Sequence, residues 1–112
     1  MSELARKKCK PCEGGVEPYT ADQAKEMLKQ LKAWILEDGR LVKLYAFKNY
    51  HETMAFVNAL AWISHREDHH PDLLVGYNQC RVSYSTHAIG GLSENDFILA
   101  AKIDQLPVKL KQ

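Results

Sequence analysis

The chain is poor in the residues that build disulfide scaffolds, unstructured linkers and membrane spans. Its 112 residues include three cysteines, four prolines and six glycines. Three is an odd count, so the cysteines cannot all pair within one chain, and a disulfide-dense secreted domain is excluded. No apolar run approaches the length that a bilayer crossing needs. The basic stretch Arg6-Lys7-Lys8 is not followed by a hydrophobic run. No export signal is therefore expected, and the thiols are expected to be reduced in a cytoplasmic protein. Charge of one sign is also lacking, because 15 Lys and Arg face 14 Asp and Glu. A formal charge of +1 gives no reason to expect nucleic acid or a membrane surface as the main partner.

What is present is the composition of one folded domain, 46% hydrophobic and 26% charged. Residues 1–19 have no apolar period and are punctuated by Pro11, Gly14-Gly15 and Pro18, so they read as a flexible tail ahead of a single domain over 20–112. Thr20 with Gln23 three residues on is a capping-box start, and Ala24, Met27, Leu28 and Leu31 follow at helical spacing. Trp34-Ile35-Leu36 and Leu41 to Phe47 read as strands joined at Asp38-Gly39, a pair that suits a tight hairpin. On the second strand Leu41, Tyr45 and Phe47 alternate with Val42, Leu44 and Ala46, so both faces are expected to be partly covered. Tyr50 to Glu67 is the longest helix, with Phe56, Leu60 and Ile63 on one stripe, and Pro71 closes it off. Leu73 to Tyr77 and Cys80 to Thr86 form a second strand pair. A last helix begins at Ser93, with Asp96 at its third position and Leu99, Ala100, Ile103 and Leu106 on its buried face. The order α-β-β-α-β-β-α implies an α+β fold, a four-stranded antiparallel sheet with three helices packed on one face.

The densest chemical signal is Asp68-His69-His70-Pro71-Asp72, at the end of the long helix. Imidazole is the side chain whose ordinary pKa lies nearest neutrality, so it can give or take a proton with little bias. Asp68 and Asp72 are placed to orient the rings, although solvated loop histidines would explain any one of them. A second signal is Ser85-Thr86-His87 before Gly90-Gly91, where hydroxyls and an exposed backbone could meet a polar heterocycle. Ser93 to Asp96 fits a capping box, which accounts for Asp96 before any ligand role is added. His65 and His69 share a helical face at workable metal-ligand spacing, but no Glu follows His65, and acid–base work is the better reading. Cys9-Lys10-Pro11-Cys12 is half a zinc site at most and reads as a reduced tail. Trp34 and Trp62 suit core packing or a subunit interface.

Together these residues resemble the pterin-4a-carbinolamine dehydratase family, whose members are also dimerisation cofactors of a homeodomain transcription factor. The resemblance runs from about Thr20 to Leu106. It is carried by His65-x-x-x-His69-His70-Pro71, Tyr77-Asn78, and Val82-x-Tyr84-x-Thr86-His87-x-x-x-Gly91-Leu92-Ser93-x-x-Asp96. Tyr84 stands where many members have a smaller aliphatic residue, and His65 where an acidic one is frequent. The resemblance implies dehydration of a 4a-hydroxytetrahydropterin to quinonoid dihydropterin in tetrahydrobiopterin recycling, with no metal and no cofactor. It implies His69, His70 and His87 as the catalytic set and Asp68, Pro71, Ser85, Thr86 and Asp96 as substrate-binding residues. It also implies a homodimer or homotetramer, and an aromatic amino acid hydroxylase as a pathway partner. A protein-binding coactivator with incidental catalysis is the alternative.

Overall fold

The computed structural model describes residues 3–10 and 17–106. Cys12, Pro11 and the Gly14-Gly15 pair, all singled out above, lie outside the described residues. The sheet is the expected one. Strands β1 (Ile35–Glu37), β2 (Arg40–Ala46), β3 (Asp72–Val75) and β4 (Gln79–Tyr84) pair antiparallel in the order β1-β2-β4-β3. The β1–β2 hairpin turns at Asp38 and Gly39, with φ of 49° and 75°, the double positive φ of a type I′ turn.

Strand alternation decides which face is core. Leu41 pairs with Tyr84, and Tyr45 with Cys80, and all four are buried together. Against this face lie α3 (Tyr50–Glu67) and α4 (Glu94–Ile103), through Phe56, Leu60, Phe97 and Ile98. The rings of Tyr45 and Phe56 approach to 4.5 Å, a separation at which offset aromatic pairs attract. The opposite face is only partly covered. Val42 is buried, but Leu44 and Leu74 are exposed, Leu74 at 71%. The helix α2 (Ala21–Leu28) starts at the Thr20–Gln23 capping box, as the sequence predicts. It stops earlier than the apolar spacing suggests, because the bonds Gln30 N–H to Met27 O and Leu31 N–H to Leu28 O tighten into a terminal turn.

The N-terminal segment departs from the expected tail. Residues Glu3–Arg6 form a short helix, α1, packed on α4, so among the described residues four α-helices rather than three accompany the sheet. Leu4 is 1% exposed and belongs to the main core. Leu4 and Ala5 supply its apolar contact, and four residues show no period that a sequence reading could detect.

Burial also loads the core with groups that resist ionisation. It pushes the Cys80 thiol up to about 11 from its ordinary 9.0. The Tyr45 phenol is driven far above its ordinary value by burial first and then by the Asp104 carboxylate, and Tyr84 is driven up mainly by burial. In the unfolded chain these groups ionise near their ordinary values while the folded chain keeps the protons. Their contribution is therefore complete below about pH 9 and is lost as the pH climbs beyond it. The urea midpoint is expected to fall steadily between pH 9 and 11, and a flat profile would contradict this account of the core. Leu4→Ala is expected to cost about 2–5 kcal/mol in the same measurement at neutral pH. A detached tail would give no change.

Candidate active site

Helix α3 is started by Asn49, whose side chain accepts the Glu52 N–H at 2.9 Å, and it is ended by Asp68 in the left-handed region at φ 52°. Two bonds define that end: Asp68 N–H to His65 O at 3.2 Å and His69 N–H to Ser64 O at 3.1 Å. This is the Schellman arrangement, with Asp68 where glycine is the usual residue. The chain is thereby swung off the helix axis just before Pro71, and His69 and His70 leave α3 at an angle.

His69 turns inward, with 11% of its side chain exposed. Its Nε2 lies 2.6 Å from Asp96 Oδ1, and its ring lies parallel to that of Tyr84, 6.0 Å between centroids and 6° between planes. Asp96 is 0% exposed, in the first turn of α4. Its Oδ2 accepts from Thr86 Oγ1 at 2.8 Å and from the Ser93 N–H at 2.9 Å. A carboxylate surrounded only by donors, at the positive end of a helix, requires the His69 nitrogen facing it to be the N–H. The other ring nitrogen, Nδ1, is then the one without the proton.

The end of β4 supplies the third side. Thr86 N–H bonds Gly91 O at 2.7 Å, and a 3-10 turn at His87–Ile89 closes between them, with Gly90 at φ 66°. This loop holds His87 exposed at its start. His69, His70 and His87 all line one cavity of about 860 Å³, inside the range of about 300–1,000 Å³ usual for small-molecule sites. Asp68, Pro71, Ser85 and Thr86 line it too.

Two sequence expectations change here. Asp96 is fully buried and is not among the residues that line the cavity, and its oxygens are taken by His69, Thr86 and Ser93. Asp68 and Asp72 lie beside the histidines in sequence, but among the described residues neither is bonded to an imidazole. Asp68 is the left-handed cap, and Asp72 takes the Arg40 guanidinium at 2.7 Å. His65 stays outside the cavity, exposed beside Trp62. Among the described residues no three His, Cys, Asp or Glu side chains converge to hold a metal ion.

The sequence reading missed other parts. Tyr84, the stacking partner of His69, entered the sequence reading only through the family resemblance, with no contact to His69 expected. Asn95 ties the N-terminal segment to α4: its carboxamide accepts the Lys10 N–H at 3.0 Å and donates to Lys10 O at 2.6 Å. The Cys9 N–H donates to Glu67 at 2.9 Å.

The fold and this pocket define a small α+β protein with an imidazole-lined cavity of small-molecule size. The model of the pterin 4 alpha carbinolamine dehydratase family matches residues 17–106, and the chain belongs to that family. It is 66% identical over 107 residues to a protein of Nitrosomonas eutropha named "Putative pterin-4-alpha-carbinolamine dehydratase", with 95% of each chain covered. A protein of the same name from Nitrosospira multiformis is 59% identical over 106 residues, covering 95% of this chain and 94% of that one. Among solved structures, a transcriptional coactivator/pterin dehydratase from Brucella melitensis superposes with a TM-score of 0.75 at 27% identity, over 79% of this chain and 96% of that one. A pterin dehydratase-like protein described as a RuBisCO assembly factor in the alpha-carboxysome gives 0.56 at 28% identity, over 65% of this chain and 87% of that one.

Asp96→Ala removes a helix cap and strands the donors of His69 and Thr86. It is expected to destabilise the fold by about 2 kcal/mol or more and to remove any slowly exchanging His69 Nε2–H proton signal. An unchanged urea midpoint would show that the network contributes nothing.

Proposed function

We propose that this protein dehydrates 4a-hydroxytetrahydropterin to quinonoid dihydropterin and water by histidine acid–base catalysis, as a step in tetrahydrobiopterin recycling. The observation that carries the reading is the convergence of three imidazoles, from two segments far apart in sequence, on one cavity. Hydroxide is a poor leaving group, so a proton must reach the 4a oxygen as the C4a–O bond breaks. The N5 lone pair forms the new C4a=N5 bond, and the N5 proton passes to a base, so water is the only material lost.

His70 and His87 are exposed at the cavity, and we assign them the proton transfers at the 4a/N5 edge. His69 is fixed by Asp96 and Tyr84, and its Nδ1 suits binding of the ring and a second proton route. Asp68, Pro71, Ser85 and Thr86 form pocket walls, and Asp96 acts through His69. On this reading the protein works in the cytoplasm, downstream of an aromatic amino acid hydroxylase, as a homodimer or homotetramer. No helix among the described residues is long and apolar enough to cross a membrane.

A protein-docking role is the second reading. It is favoured by Trp62, 65% exposed on α3, an apolar surface that the core does not use. Retention of a protein partner that Trp62→Ala abolishes, without dehydratase turnover, would favour it over catalysis.

His70→Ala and His87→Ala are each expected to lower dehydration above the uncatalysed rate by about 10²–10⁴-fold. Near-native rates in both variants would remove the catalytic assignment.

A further inference from the structure

The N-terminal segment lies ahead of the family match, which begins at residue 17, yet it is built into the site. Lys102 Nζ donates to Ala5 O at 2.9 Å, and Lys7 Nζ pairs with Glu94 at 2.7 Å. Glu67, the last residue of α3, receives the Cys9 N–H, and Asn95, in the first turn of α4, brackets the backbone of Lys10. Those two helix ends are the ones that present His69 and Asp96. The segment is thus a wall of the imidazole cavity.

That wall is cationic. In a chain of net charge +1, five basic residues line the cavity, Arg6, Lys8, Lys10, Arg66 and Lys102, against three acidic ones, Glu67, Asp68 and Asp72. Two of the acids are already engaged, Asp72 by Arg40 and Glu67 by the Cys9 N–H. Among the described residues no ion pair holds Arg6, Lys8 or Lys10. Proton transfer at a neutral bicyclic ring gives these cations no task. A concave wall of one charge sign concentrates ligands of the opposite sign. Because the cations and the imidazoles face the same cavity, the opposite charge belongs on the substrate itself, at the end of its side chain.

We propose that Arg6, Lys8 and Lys10 make this protein select a pterin whose side chain carries an anionic group, a phosphate ester or a carboxylate. The inference rests on the dehydratase reading of the same cavity and names its substrate class. The three residues are specificity determinants and take no part in the proton transfers.

The test is a fluorescence titration of the full-length protein with three 7,8-dihydropterins that differ only in the side chain: a neutral polyol, its phosphate monoester and a carboxylate-bearing analogue. At low salt at least one anionic ligand is expected to bind about tenfold more tightly than the neutral one, the sum of several exposed ion pairs. Which anionic ligand gains identifies the group. Raising the salt toward 1 M, where screening acts within about 3 Å, should erase the difference. The variant Arg6→Gln/Lys8→Gln/Lys10→Gln should bring the ratio to within about twofold. Equal affinities for all three ligands at low salt, or a preference that survives in the variant, would overturn the proposal. Dehydration of the neutral carbinolamine is measured alongside. Turnover without an anionic preference would defeat this inference alone, and the preference without turnover would defeat the dehydratase reading alone.

Discussion

The Asp96 carboxylate is the point on which the site depends. It is fully buried, and its two oxygens take donors from the end of α3, the end of β4 and the start of α4. A buried anion is tolerated only where donors surround it, so the three segments are held together by the cost of leaving that charge unsatisfied. The same bonds cap a helix, fix the hydroxyl of Thr86 and set the orientation of the His69 ring. Stability and site geometry are therefore one interaction here, and a change that loosens one loosens the other.

Around that anchor the three histidines differ in freedom. His69 is clamped between a carboxylate and an aromatic ring, whereas His70 and His87 stand exposed at the rim of the cavity. A rigid ring suits holding a planar ligand in register, and accessible rings suit exchange of protons with ligand and solvent. The helix end makes this division possible. Asp68 in the left-handed region turns successive residues in different directions, so neighbours in sequence meet different surroundings.

Local signals were readable in the chain and long-range partners were not. The bounds of α3, the Asp38-Gly39 turn and the Thr20 and Ser93 helix starts all follow from contacts within a few residues, where sequence spacing is geometry. The partner of His69 is 27 residues away, and two nearer carboxylates, Asp68 and Asp72, competed for the role on sequence alone. Helix α1 failed for a related reason. Four residues have no period, and the burial of Leu4 exists only because α4 offers it a surface. The cationic wall was hidden in the same way, since Arg6, Lys8 and Lys10 look like an ordinary basic tail until the segment is seen docked.

That docking has a practical side. Leu4 is pinned in the core, two residues ahead of Arg6 on the wall of the cavity. A histidine-rich extension placed ahead of this segment would bring added imidazoles near those that line the cavity. Comparisons between variants are sound only when the segment around Leu4 is the same in each.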